Sequence, residues 1–214
     1  MQNIWKRFIR LLVGLLFYSI GIVMTIKANI GYGPWEVFHV GLGKALGISI
    51  GNASIIVGFV IVLITLLMKE KLGIGTVLNM VLIGWFIDII LKFNLIPLVE
   101  NKILGVLVLV LGLYVISLGS FFYIGSGFGA GPRDGLMVAL TRRLKLPIGV
   151  IRGGIELTAT IIGWLLGGMA GIGTIISGLA IGFCIQSTFQ VLKFKPTEIK
   201  HSTLSDMWKN FRRS

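Results

Sequence analysis

Charge is too scarce in this chain to make a water-facing surface. Only 13% of its 214 residues are Asp, Glu, Lys or Arg, against roughly 25% in an ordinary soluble domain. That shortage excludes a soluble globular enzyme. Acids are the rarer sign, eight against twenty Lys and Arg. A single cysteine, Cys184, excludes an intramolecular disulfide and leaves the redox compartment open. Two histidines, His39 and His201, with one cysteine make no metal cluster. There is no Walker A sequence, and no nucleophile–base pair is legible. We therefore expect no metal, no cofactor and no enzymatic activity.

Apolar residues are abundant, 55% of the chain, and they come in long runs. A membrane-crossing helix needs about 20 mostly apolar residues. Six runs qualify: 9–26, 50–68, 72–91, 103–124, 148–168 and 173–192. The fold class expected is all-α, a polytopic transmembrane helical bundle whose first partner is the lipid bilayer. The formal net charge of +12 does not point to nucleic acid. Its cations flank the apolar runs, as the positive-inside rule requires. Lys6, Arg7 and Arg10 precede the first run; Lys193, Lys195, Lys200, Lys209, Arg212 and Arg213 follow the last. The first run resembles a signal peptide but continues too far without a small-residue cleavage site, so we read it as a retained span. The stretch 193–214 reads as a basic cytoplasmic tail, its Trp208 and Phe211 suited to an anionic leaflet.

Two further segments, 34–46 and 132–144, each open with Gly-x-Gly-Pro. Proline is favoured at the first helical position, where its missing N–H has no partner to lose. Thirteen helical residues span ~20 Å at ~1.5 Å each, short of a ~30 Å hydrocarbon core. These are expected to be half-length helices, re-entrant or interfacial.

The chain also matches itself at an offset of 98 residues. Gly31-Tyr-Gly-Pro34 meets Gly129-Ala-Gly-Pro132, and Gly73-Ile-Gly-Thr76 recurs as Gly171-Ile-Gly-Thr174. Gly14, Ser19, Gly21 and Gly84 meet Gly112, Ser117, Gly119 and Gly182. Shared apolar composition would not place glycines, a proline and a threonine in one register. We read two tandem membrane repeats, 1–98 and 99–192, each of three spans plus one short half-helix. Three spans per unit make the second unit inverted. Basic residues agree with that. The turn after the second span carries Lys69 and Lys71 while its counterpart has no charge; the first short helix has Lys44 alone, the second Arg133, Arg142 and Arg143. Both termini are then cytoplasmic.

Candidate functional residues cluster at the Gly-x-Gly-Pro-x-acid elements: Gly31, Gly33, Trp35 and Glu36, and Gly129, Gly131, Arg133 and Asp134. A helix N-terminus carries free N–H groups and partial positive charge, so it can hold an anion, as broken helices do in secondary transporters. Alternatively the acids neutralise their own helix ends, or bind a proton or cation. His39 shares a helix side with Glu36 and would titrate near neutrality if it lines a cavity. Arg152 and Glu156, four apart within the fifth run, can pair; they line a wet cavity, lock helix packing, or Arg152 snorkels. Asp88 and Lys92 have the same spacing at a span end and read as an interfacial pair.

The run from Gly31 to His39, Gly-Tyr-Gly-Pro-Trp-Glu-Val-Phe-His, with Ile50-Gly51 and the Gly-Ile-Gly-Thr elements, resembles the YczE-like membrane proteins of bacteria, grouped with YyaS and YitT proteins. The resemblance covers nearly the whole chain. It implies an integral protein of the bacterial plasma membrane. For some relatives it implies a link to lipopeptide antibiotic production, hence to export or regulation at the membrane. The function expected is a small secondary transporter or permease for a small solute, anionic or amphiphilic, with substrate-binding residues Gly31, Gly33, Trp35, Glu36, His39, Gly129, Gly131, Arg133, Asp134, Arg152 and Glu156. The alternative is a non-transporting accessory protein of a biosynthetic or export complex, acting on a membrane protein partner or as a homo-oligomer.

Overall fold

The computed structural model describes residues 4–70, 73–196 and 199. Most of the basic tail therefore lies outside the described residues, as does Lys71. Among the described residues there are eight helices: α1 (Ile4–Lys27), α2 (Pro34–Leu46), α3 (Ile50–Leu67), α4 (Ile74–Lys92), α5 (Lys102–Gly125), α6 (Pro132–Leu144), α7 (Ile148–Leu165) and α8 (Ile172–Val191). Six are long and apolar enough to cross a membrane; α2 and α6 are not. The second four begin at 102, 132, 148 and 172, each 98 residues after the starts of the first four at 4, 34, 50 and 74.

Local chemistry sets the ends of these helices. Pro34 and Pro132 occupy the first turns of α2 and α6. Both helices stop on a left-handed residue, Gly47 at φ 67° and Lys145 at φ 54°, a conformation that leaves the helical path. Ser49 caps α3 by accepting from the Asn52 N–H, and Asn101 caps α5 by accepting from Ile103 and Leu104. α1 starts earlier than its apolar run, at Ile4 rather than residue 9. Its cations are held at the helix end: Arg7 donates to the Ser126 and Gly127 carbonyls at 2.8 and 3.0 Å. Arg10 sits over the Phe121 ring at 4.9 Å.

α1 and α5 form the central seam, and they run antiparallel. A side chain on Gly14 would strike the backbone of Gly119 and Tyr123, and one on Gly21 the carbonyl of Gly112. The reciprocal contacts hold for Gly112 and Gly119. Lipid offers no hydrophobic drive to pair helices, so close backbone approach between small residues supplies the attraction. Ser19 and Ser117, also in the seam, turn their hydroxyls to their own helix at Leu15 and Leu113, both 2.8 Å. Outward faces carry large apolar side chains instead, Leu67 and Leu179 each at 80% exposure, as lipid contact requires.

Each Gly-x-Gly-Pro loop is clasped by the Gly-Ile-Gly-Thr turn of the other half. The Gly173 N–H donates to Ile30 O and the Gly75 N–H to Phe128 O, both at 2.8 Å. Gly31 and Gly129 have φ of +112° and +120°, and each packs on the facing turn at Gly171 and Gly73; glycine alone takes that conformation without strain. The C-terminal ends of the short helices are tied the same way. Arg142 pairs with Glu70 through two bonds of 2.9 and 3.0 Å, and Lys44 donates to Gly167 O at 2.8 Å.

Candidate functional site

The short helices point their N-terminal ends at each other inside the bundle. Arg133, one residue into α6, comes within 3.9 Å of Glu36, two residues into α2. The guanidinium also lies 4.5 Å above the Trp35 ring, a cation–π arrangement. Around this meeting point is a cavity of about 350 Å³ lined by residues of all eight helices. Gly33, Trp35, Glu36, His39, Arg133, Asp134, Arg152 and Glu156 all face it. Eight of the eleven sequence candidates, drawn from both halves, thus share one space.

The remaining three divide. Gly31 and Gly129 do not line the cavity; they sit in the inter-half clasps and shape the loops that deliver Glu36 and Asp134. Gly131 stands behind the wall, with Tyr123 Oη, Asp134 Oδ2 and Asn79 Nδ2 at 3.4, 3.5 and 3.7 Å from where its side chain would begin.

Within the site, Glu36 is buried at 8% exposure and its carboxylate folds back over Gly33, at its own helix start. Self-neutralisation of the helix end is thus the geometry at α2. Asp134 is exposed to the cavity and takes a backbone hydrogen bond at Gly131, the start of its own helix. His39 is 2% exposed, with its ring 6.3 and 6.4 Å from those of Trp35 and Phe38. Trp35 also lines the cavity, beneath the Arg133 guanidinium. Arg152 Nε and Glu156 Oε1 are 3.0 Å apart, forming the i,i+4 pair on the cavity-facing side of α7.

Sequence reading missed seven polar members of the lining: Tyr18, Thr25, Ser54, Asn79, Ser120, Tyr123 and Ser177. Asn79 and Ser177 carried a usable signal, since they are polar residues 98 apart within apolar spans. Tyr18 and Tyr123 carried none, being indistinguishable from interfacial aromatics.

The two halves differ in one respect that sets the shape of the cavity. α3 and α4 are zipped together: a side chain on Gly51 would strike Gly84 O, and one on Gly84 would meet Gly51 O at 2.6 Å. Asp88 fastens this seam by accepting from the Gly51 N–H at 2.8 Å and the Ser49 hydroxyl. The Asp88–Lys92 pair expected from spacing is replaced by this clasp, because Asp88 faces α3. At the equivalent positions α7 and α8 stand apart. Among the described residues, no atom from outside its own stretch of helix lies within 4 Å of where a side chain on Gly149, Gly153, Gly154 or Gly182 would begin. Pro147 and Gln186 replace Ser49 and Asp88 there, so neither the hydroxyl nor the charged acceptor is present. Beyond Arg152 and Ile185 the gap widens into a mouth of about 540 Å³, lined also by Gln186, Gln190, Phe189 and Lys193. The mouth lies at the end of the bundle that holds the start of α1: Phe194 on its rim packs on Phe121, which Arg10 covers.

Comparison with known proteins agrees with this reading of a membrane chain. A family model described as a family of unknown function, DUF6198, matches residues 5–190. The chain belongs to the DUF6198 family. The uncharacterized membrane protein YczE of Bacillus subtilis (strain 168) is 36% identical over 200 residues, 90% of this chain and 92% of the relative. An uncharacterized protein of Haemophilus influenzae is 31% identical, covering 87% and 84%. The uncharacterized protein YyaS of Bacillus subtilis is 26% identical, covering 77% and 83%. No solved structure matches the chain. This DUF6198 chain is thus a YczE-like membrane protein with several candidate membrane-spanning helices.

Proposed function

We propose that the chain is a small secondary transporter of the bacterial plasma membrane, built from two inverted repeats, with both termini in the cytoplasm. The observation that carries this is the cavity itself. It is lined by charged side chains, it lies between the tips of two half-length helices, and it is shut by the α3–α4 seam and open along α7–α8. The matching helix starts and the antiparallel α1–α5 contact support the inverted repeat. Transporters of this kind expose a midplane site to each side in turn by moving one repeat against the other. Here the two repeats adopt two arrangements of one motif, zipped and parted. Exchange of those arrangements would close the mouth beside α1's N-terminus and open the opposite end. The charged side chains supply binding groups for a small solute or coupling proton; no catalytic role is proposed for them.

The test is solute uptake into proteoliposomes holding the purified protein. Uptake driven by an ion gradient is expected. It should be abolished by Glu36→Gln, which removes the charge facing Arg133 while keeping side-chain volume. Vesicles inert toward a broad solute panel, with and without proton and sodium gradients, would sink the carrier reading.

A second reading rests on the open face of α7. Gly149, Gly153 and Gly154 form a small-residue surface of the sort that accepts another membrane helix, and an accessory protein would seat its partner there. Recovery of one stoichiometric membrane partner, with full tolerance of neutralising substitutions at Glu36 and Asp134, would favour it.

A further inference from the structure

The cavity's charges do not balance. Glu36, Asp134 and Glu156 face Arg133 and Arg152. Glu36 and Glu156 lie at 3.9 and 3.0 Å from the two arginines, so one carboxylate is in excess, and among the described residues Asp134 makes no ion pair within 4 Å. An anionic solute would have to break one of these pairs. A carboxylate without an ion pair of its own inside a membrane bundle marks a cation or proton position.

The surroundings of Asp134 narrow the choice. Tyr123 is 3% exposed, and among the described residues its hydroxyl has no hydrogen-bond partner. It lies 3.4 Å, Asp134 Oδ2 3.5 Å and Asn79 Nδ2 3.7 Å from the point where a side chain on Gly131 would begin. The equivalent space beside Gly33 is filled, because the longer Glu36 reaches back over it. Aspartate is one methylene shorter and stops at the edge. The result is a cavity wall beside Gly131 at which a carboxylate, a phenol oxygen and an amide converge, the amide being one whose oxygen can be turned inward. An ammonium group has three donors and no acceptor, which suits those three groups. The adjoining wall is aliphatic, with Ile83, Leu113, Ile116 and Met137.

We propose that the cavity binds a protonated amine with an apolar body, its ammonium group held by Asp134, Tyr123 and Asn79 beside Gly131. This deepens the carrier reading by naming its solute class, and it rests on that reading for its physiological meaning.

The probe is butylammonium chloride, added to the purified full-length protein in detergent at fixed pH and ionic strength. The expected result is a saturable rise in unfolding midpoint that butanol, sodium butyrate and sodium chloride do not produce. Asp134→Asn should lose the response. Tyr123→Phe should weaken apparent affinity about tenfold, the size of one hydrogen bond to a charged group; it keeps the proposal testable should Asp134→Asn fail to fold. An equal rise with sodium chloride would mean an inorganic cation site, and an equal rise with butanol a purely apolar one; either overturns the proposal. So does an Asp134→Asn or Tyr123→Phe protein that responds like the wild type. Binding without uptake of labelled butylammonium into proteoliposomes would remove the carrier reading and leave the site. Uptake of a different solute with no amine response would do the reverse.

Discussion

Replacing Gly21 with leucine is expected to split the two halves of the molecule. The new Cβ would lie 2.6 Å from Gly112 O and 2.7 Å from Ile116 N. Both are backbone atoms of a straight helix, so no side-chain rotation relieves the clash. α1 and α5 would have to move apart along their whole crossing, and the reciprocal contact of Gly14 with Gly119 would be lost as well. Overpacking of this kind costs typically ~1–3 kcal/mol and occasionally more, out of roughly 5–15 kcal/mol of total stability. At roughly 2–4 °C per kcal/mol for a chain of this size, the unfolding midpoint in detergent should fall by about 6–12 °C at the upper end of that cost. Gly182→Ala is the control, since nothing stands within 4 Å of its side-chain position; its midpoint should barely move. Equal effects from both would mean that the α1–α5 seam does not hold the halves together.

A paired-cysteine experiment should give an all-or-none result for transport. Ser49 and Asp88 already touch across the α3–α4 seam at 2.5 Å between Oγ and Oδ2. In a Cys184→Ser background, Ser49→Cys with Asp88→Cys should cross-link readily and arrest uptake in the arrangement described here. Gly149→Cys with Gly182→Cys bridges the parted α7–α8 positions. A disulfide needs Cα atoms roughly 4.4–6.8 Å apart, so this second pair should cross-link only if α7 and α8 come together as α3 and α4 do. Under the carrier account it does so during turnover, and uptake stops until reductant is added. If the second pair never cross-links while uptake proceeds, exchange of arrangements between the halves is not how the protein works.

Much of this architecture could be read from residue order, and the reasons are local. Gly33-Pro34 and Gly131-Pro132 start the short helices where sequence places them, because a proline at the first turn has little alternative. The length of those helices follows from a left-handed stop at 47 and 145. The meeting of Glu36 with Arg133 was less legible. It depends on the two inter-half clasps, which bring together residues almost 100 positions apart. Least legible was the difference between Gly84 and Gly182. Both occupy the same place in the 98-residue register, yet one is packed against backbone and the other faces open space. The clue lay in neighbours, Ser49 and Asp88 against Pro147 and Gln186. Only the clasp geometry reveals what the first pair does. Asp88 illustrates the same limit: a Lys four residues on suggests an interfacial pair, whereas the Gly51 N–H on the preceding helix gives the carboxylate a stronger, directed partner.

Under the carrier proposal, one sequence unit appears twice in opposite orientations around a common cavity. The most direct measurement is labelling of single cysteines at Lys44→Cys and Lys145→Cys, again with Cys184→Ser, using a membrane-impermeant maleimide on intact cells. These positions end the two short helices. The account predicts labelling of Lys44→Cys from outside and of Lys145→Cys only after the membrane is opened. Labelling of both from the same side would contradict it.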